Sequence, residues 1–140
     1  MISVIIGTHG MFSEEVLKSA EMIFGAQENV GSVTFKPGEG IEGLVEKYNK
    51  LISELDSADG VLFMVDLFGG SPFNAASIIA MKNDNMEIVT GVNLPMILET
   101  LGSRDFSSLS ELLAIAENSG KEAIRVLTKN LQTDIEDEMM

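Results

Sequence analysis

The stretch Val61-Leu62-Phe63-Met64-Val65-Asp66-Leu67-Phe68-Gly69-Gly70-Ser71-Pro72 decides the fold class of this 140-residue chain. Its apolar run predicts a buried strand over Val61–Val65 that stops at Asp66. A glycine pair follows, and then Ser71 and Pro72 predict a helix start, with serine as the N-cap and proline at the first helical position. We expect this helix to run to about Met81. A buried strand that leads directly into a helix is the unit from which parallel sheets are built.

The same alternation continues in both directions from this unit. Further strands are predicted over Ile2–Ile6, Val30–Phe35 and Met86–Val92, and further helices over Phe12–Phe24 (with Ser13 as N-cap), Ile41–Leu55, Pro95–Leu101 and Ser107–Asn118. Gly120 is expected to break the last helix, and the short segment Ala123–Leu127 then predicts a final strand that pairs at an edge of its own sheet or with a second subunit. Strands that alternate with helices predict an α/β sandwich with a mainly parallel sheet.

Composition excludes several classes of function. The formal net charge of −13 disfavours binding to nucleic acid or to an anionic membrane surface. There is no cysteine and one histidine, so a metal site is not expected, and no Gly-rich loop of the kind that binds ATP is present. The chain shows no signal peptide and no apolar run near the roughly 18 residues that span a bilayer, so we expect a cytoplasmic protein. The acidic residues Asp134, Glu136, Asp137 and Glu138 resemble a solvated natural terminus more than the start of a linker.

Three features fall at the carboxyl ends of predicted strands. His9 follows the first strand within Gly7-Thr8-His9-Gly10, Asp66 closes the third strand, and Gly69-Gly70-Ser71 leads into a helix. In an open parallel sheet, ligands bind beyond these ends, where the strand order reverses. If the first and third strands are neighbours, the three features meet in one crevice.

The residue types in this crevice suit phosphoryl transfer. A neutral imidazole attacks through one ring nitrogen, and a carboxylate that accepts the proton of the other nitrogen orients the ring. Glycines allow close approach of the backbone, free N–H groups at a helix start bind an anion, and a serine hydroxyl adds a donor. The predicted roles are therefore nucleophile for His9, orienting group for Asp66, and phosphate binding for Gly69, Gly70 and Ser71.

Apolar residues around the crevice are candidates for partner binding. Most of the nine methionines are expected to fill the core, and an adaptable docking surface is the alternative for three of them. The predicted partner-contact residues are Met11, Met22, Pro72, Phe73 and Met96.

Three blocks of the sequence resemble the mannose-family EIIA domain of the bacterial sugar phosphotransferase system. They are Ile6-Gly7-Thr8-His9-Gly10, Val65-Asp66-Leu67-Phe68-Gly69-Gly70-Ser71-Pro72-Phe73-Asn74-Ala75-Ala76, and Gly91-Val92-Asn93-Leu94-Pro95-Met96 with Glu99-Thr100-Leu101. The resemblance spans roughly Met1 to Leu127. Leu67 and Phe68 stand at positions that vary in the family.

The resemblance implies a function for the whole chain. It implies a protein phosphotransferase in which His9 accepts a phosphoryl group from the phosphocarrier HPr and passes it to an EIIB component for sugar uptake. It also implies a doubly wound three-layer α/β fold, no cofactor, and a homodimer that exchanges the last strand, here Ala123–Leu127. We expect the EIIA domain to span residues 1–130 and an acidic tail to span residues 131–140.

Two other functions stay open at this point. One is a receiver-like switch phosphorylated on Asp66, although His9 stands where a receiver needs an acidic pair for magnesium. The other is a non-catalytic module that binds a small anion in the crevice. The chemical lability of the phosphorylated protein and transfer from phosphorylated HPr separate these alternatives.

Overall fold

A computed structural model describes residues 1–129 as a four-stranded sheet between two layers of helices. The strands are β1 (Ser3–His9), β2 (Val30–Phe35), β3 (Val61–Val65) and β4 (Met86–Thr90). The helices are α1 (Phe12–Phe24), α2 (Ile41–Glu54), α3 (Gly70–Ala80), α4 (Leu94–Ser103) and α5 (Leu109–Glu122), and a turn of 3-10 helix, Arg104–Phe106, precedes α5.

All four strands are parallel, and their order across the sheet is β2-β1-β3-β4. The chain reverses its direction of travel across the sheet between β1 and β3, which are neighbours. In their register, Gly7 lies opposite Val65. The carboxyl ends of these two strands therefore bring His9 and Asp66 to the same edge of the sheet, where a doubly wound fold binds its ligands.

Each face of the sheet carries its own apolar core. On one face, Val4, Ile6, Leu62 and Met64 pack against α1, α4 and α5. On the other face, Ile5 and Phe63 pack against α2 and α3. Successive strand residues point to opposite faces, so burial on both sides requires the continuous apolar runs seen in the sequence. The prediction of a doubly wound, three-layer α/β sandwich is confirmed.

Two predicted helix starts are wrong. Ser13 is the second residue of α1 rather than its N-cap, which is Met11, and its buried hydroxyl donates a hydrogen bond to the Val33 carbonyl. Similarly, α3 begins at Gly70, so Ser71 lies inside the first turn. In neither helix does the N-cap residue supply a side-chain hydrogen bond; at α1 the Thr8 hydroxyl accepts the Ser13 N–H instead.

The carboxyl-terminal region also departs from prediction. Gly120 does not break α5 but lies within it, and a Cβ built at this position would come within 2.7 Å of Met96 Cε. The strand predicted over Ala123–Leu127 is not formed in this single chain: residues 123–126 adopt neither helix nor strand, and Ile124 is 85% exposed. A strand needs backbone partners, and none of the four described strands pairs with this segment. Strand exchange in a dimer stays a prediction.

Within residues 1–129, no helix has the length and apolar character required to cross a bilayer. The predicted acidic tail lies outside the described residues.

Candidate active site

His9 is the last residue of β1, and its side chain is 44% exposed. Its ring nitrogen Nδ1 lies 2.8 Å from Oδ2 of Asp66, and its backbone N–H donates to the same oxygen at 3.0 Å. A carboxylate only accepts hydrogen bonds, so Nδ1 carries the proton in this contact. The lone pair of the neutral ring therefore lies on Nε2.

Asp66 follows β3 directly and uses both of its oxygens. Oδ2 binds His9 as described, and Oδ1 accepts a hydrogen bond of 3.1 Å from the backbone N–H of Leu67. The side chain is 18% exposed. The carboxylate is thus held on both sides, and it fixes the backbone and the ring of His9 together.

The start of α3 lies against the Nε2 side of the imidazole. A Cβ built on Gly70 would lie 3.1 Å from Cε1 and 3.4 Å from Nε2 of His9. Gly69 and Gly70 have φ angles of 106° and 79°, which L side chains rarely adopt. The structure therefore brings His9, Asp66 and the glycine pair together, with Ser71 as the second residue of α3. Free N–H groups at such a helix start favour an anion.

An aromatic ring and a lysine complete the other side of the site. The Phe35 ring meets the imidazole edge-on, with 5.9 Å between centroids and an angle of 83°. A cavity of about 330 Å³ is lined by His9, Gly10, Phe35, Lys36, Pro37, Gly38 and Glu39. Lys36 is the cationic residue of this lining, and its positive charge favours the approach of an anion to the cavity.

Glu39 stabilises the loop that contains Lys36 through two contacts of its carboxylate. Its carboxylate accepts a 2.7 Å bond from Lys47 Nζ and a 2.7 Å bond from the backbone N–H of Lys36. The contact with Lys47 lowers the pKa of Glu39 most, and the contact with the Lys36 backbone lowers it further. Glu39 therefore ties the backbone of the Lys36 loop to Lys47 on α2.

Two buried hydroxyl groups support the turn between β1 and α1. The Thr8 hydroxyl donates to the His9 carbonyl at 3.1 Å and accepts the Ser13 backbone N–H at 2.7 Å. The Ser13 hydroxyl reaches the Val33 carbonyl at 2.8 Å. The sequence contained both residues, but their role depends on contacts between separate elements, which no local pattern reveals.

The predicted partner-contact residues are dispersed in the structure. Met11 is 44% exposed and lies two residues beyond His9, whereas Met22 is 88% exposed near the far end of α1, about 15 Å along the axis from Phe12. Phe73 packs against the exposed ring of Phe68, with 4.8 Å between centroids.

Two of these placements need correction. Met96 is 2% exposed and packs in the core beside Gly120, and Pro72 is also buried. Neither side chain is available to a docking surface in this chain, because both fill space between secondary-structure elements.

Comparison with known proteins adds an independent finding. The family model EIIA-man, described as "PTS system fructose IIA component", matches residues 3–117. The mannose-specific EIIAB component of Escherichia coli (strain K12) is 51% identical over 127 residues, which are 90% of this chain and 39% of that protein. The fructose-specific EIIA component of Bacillus subtilis (strain 168) is 39% identical over 132 residues, 94% of this chain and 90% of that protein.

Solved structures agree with these sequence matches. The phosphotransferase system component EIIA from Streptococcus agalactiae superposes with a TM-score of 0.84 at 29% identity, covering 92% of this chain and 99% of that chain. The mannose/sorbose-specific IIA subunit from Enterococcus faecalis gives a TM-score of 0.82 at 28% identity, covering 90% and 94%. The chain spans only 39% of the length of the E. coli relative.

Proposed function

This chain belongs to the EIIA-man family of the sugar phosphotransferase system, and we propose that it carries a phosphoryl group on His9 between two protein partners. The donor is HPr, and the acceptor is an EIIB component that serves sugar uptake and phosphorylation. The observation that carries the proposal is the 2.8 Å contact between Asp66 Oδ2 and His9 Nδ1. This contact turns the nucleophilic nitrogen, Nε2, away from the carboxylate.

The transfer step balances without a cofactor. The lone pair of Nε2 forms the new nitrogen–phosphorus bond while the bond from phosphorus to the donor breaks, and its electron pair returns to the donor. The proton on Nδ1 stays in its hydrogen bond with Asp66 throughout. Transfer to EIIB is the same step in reverse, with the acceptor as nucleophile.

Charge around His9 supports a transient phosphoryl group. The N–H groups at the start of α3 offer donors on the Nε2 side, and we assign phosphate binding to Gly69, Gly70 and Ser71. The negative charge of Asp66 opposes a second negative group nearby, which favours onward transfer. Phosphoryl transfer depends largely on positioning and electrostatics, and both are present here.

The remaining features are part of the same proposal. Met11, Met22 and Phe73 are exposed or half-buried apolar residues that would contact the protein partners. We further propose a cytoplasmic homodimer, with an EIIA domain over residues 1–130 followed by an acidic tail.

Transfer from phosphorylated HPr tests the proposal. We expect the chain to gain one phosphate from HPr and to lose it to EIIB, whereas His9→Ala gains none. The product should be stable in base and labile in acid. A base-labile product would indicate an acyl phosphate on Asp66, and absence of any transfer would favour a module that only binds an anion.

A further inference from the structure

Tyr48 reaches from α2 into the space beneath the candidate active site. It is fully buried, and its ring meets Phe63 edge-on with 5.3 Å between centroids. Its hydroxyl donates a 3.0 Å hydrogen bond to the carbonyl of Pro72, which is the third residue of α3. The phenol thus makes a directional contact with the beginning of the helix that lies against His9.

The same phenol also packs against the backbone of β1 at Gly7. A Cβ at Gly7 would lie 2.0 Å from the Tyr48 hydroxyl oxygen and 2.8 Å from Cζ. The φ angle of Gly7 is not in the left-handed region, so space rather than backbone conformation requires glycine here. The phenol occupies the volume that any β1 side chain would fill two residues before His9.

Tyr48 therefore touches both backbones that form the site. Gly7 leads along β1 into His9, and Pro72 follows the glycine pair whose second member, Gly70, approaches the Nε2 side of the imidazole. Burial raises the pKa of Tyr48, and the negative charge of Asp66 raises it further. The phenol is therefore close enough to Asp66 to interact with its charge. The hydroxyl stays protonated and acts as a donor.

We propose that Tyr48 is a positioning residue that sets the distance between Nε2 of His9 and the first N–H groups of α3; this inference rests on the proposed phosphoryl carrier function. Tyr48 touches neither the imidazole nor the phosphoryl group. It acts through the hydrogen bond to Pro72 and the close contact with Gly7. A displacement of about 1 Å between reacting groups is enough to lower a rate by about a hundredfold, so the separation of β1 and α3 controls transfer.

Tyr48→Phe tests this role, because it removes the hydroxyl and keeps the ring on Phe63. Ser3→Ala is a matched control: Ser3 is fully buried at the opposite end of β1, and its hydroxyl donates one 2.7 Å hydrogen bond to the Asp56 carbonyl. Each variant loses one buried hydroxyl-to-carbonyl bond. With phosphorylated HPr as donor, we expect Tyr48→Phe to lower the maximal transfer rate by about tenfold with the half-saturating HPr concentration unchanged. Ser3→Ala should stay within about twofold of wild type.

A second measurement does not need phosphoryl transfer. In NMR spectra of the unphosphorylated protein, Tyr48→Phe should move the Gly70 N–H and the His9 Cε1–H signals, while Ser3→Ala leaves both in place. Biosynthetic 3-fluorotyrosine changes Tyr48 alone, since the sequence holds one tyrosine, and covers the case in which Tyr48→Phe does not fold. Its more acidic hydroxyl strengthens the bond to Pro72, so the same two signals should move.

The outcomes separate this inference from the proposed function. Equal transfer rates for Tyr48→Phe, Ser3→Ala and wild type overturn the role of Tyr48 and leave the carrier function standing. A wild-type protein that takes no phosphate from HPr contradicts the carrier function, and the NMR comparison then decides the positioning role. Unmoved Gly70 and His9 signals in the Tyr48 variants overturn it.

Discussion

Asp66 holds His9 at two points with a single oxygen: Oδ2 lies 2.8 Å from the ring nitrogen Nδ1 and 3.0 Å from the backbone nitrogen of the same residue. The two contacts fix the end of β1 and the orientation of the imidazole at once. The second oxygen of Asp66 accepts the Leu67 N–H, so the carboxylate holds three N–H groups, two of which belong to His9. The arrangement therefore favours His9 as the nucleophile.

Asp66→Asn should impair transfer while preserving the fold. The amide has one acceptor oxygen, whereas the carboxylate serves three N–H donors on two oxygens, so the ring of His9 loses its fixed orientation. We expect the rate of phosphate uptake from phosphorylated HPr to fall by about a hundredfold. Asp84→Asn removes the same charge from an exposed turn and should transfer at the wild-type rate. Equal rates for the two variants would contradict the orienting role.

Gly70→Ala and Gly69→Ala form a matched pair. Both residues have left-handed φ angles, so each substitution should lower the free energy of unfolding by about 1–2 kcal/mol. A Cβ on Gly70 comes within 3.4 Å of His9 Nε2, whereas a Cβ on Gly69 meets nothing within 4 Å. Gly69→Ala adds no contact with His9, so Gly70→Ala should slow phosphate uptake by about tenfold more than Gly69→Ala does. Similar transfer rates in the two variants would contradict the need for open space between Gly70 and the Nε2 side of His9.

Gly7→Ala should destabilise the protein, because the added methyl group overlaps the Tyr48 hydroxyl. Overpacking in a closed core of this kind costs about 1–3 kcal/mol in the free energy of unfolding. Gly43→Ala is the control, since Gly43 lies in α2 and a Cβ there meets nothing within 4 Å. That variant should be more stable than wild type by about 0.4–1 kcal/mol. Urea unfolding measures both, and a neutral Gly7→Ala would contradict the close contact.

Glu39 should make stability depend on pH on the acid side. Its pKa in the folded protein is lowered from the ordinary 4.5, chiefly by Lys47 and next by the Lys36 backbone N–H. A lowered folded pKa contributes stability above the unfolded value, and this contribution disappears as pH falls through the folded value. The difference in unfolding free energy between wild type and Glu39→Gln should thus be constant near neutrality and shrink below about pH 4.5. A difference that stays the same well below about pH 4.5 would contradict the contact between Glu39 and Lys47.

The strongest predictions from sequence concerned strands buried on both faces and the residues at their ends. The run Val61–Val65 is apolar throughout because helices cover both sides of β3, and its end placed Asp66 correctly. Parallel strands share their carboxyl edge, so the meeting of His9 with Asp66 followed from topology once β1 and β3 were neighbours.

Features that depend on contacts between distant elements were not predictable from local patterns. In the sequence Tyr48 is spaced with Leu44 and Leu51 as on the apolar face of a helix, and only the structure shows its hydroxyl at Pro72. Gly120 resembles a helix breaker in sequence, yet it lies inside α5 with the Met96 side chain packed against it. The segment Ala123–Leu127 has strand-like residues but no strand beside it in a single chain.

The role of His9 as phosphoryl carrier can be read from which imidazole nitrogen holds the phosphoryl group. His9 is the sole histidine of the sequence, so long-range ¹H–¹⁵N NMR of the phosphorylated protein reports one ring without ambiguity. Because Nδ1 is held by Asp66 and Nε2 faces the start of α3, we expect Nε2-phosphohistidine with Nδ1 still protonated. A phosphoryl group on Nδ1, or an imidazole unchanged while Asp66 carries an acyl phosphate, would contradict it.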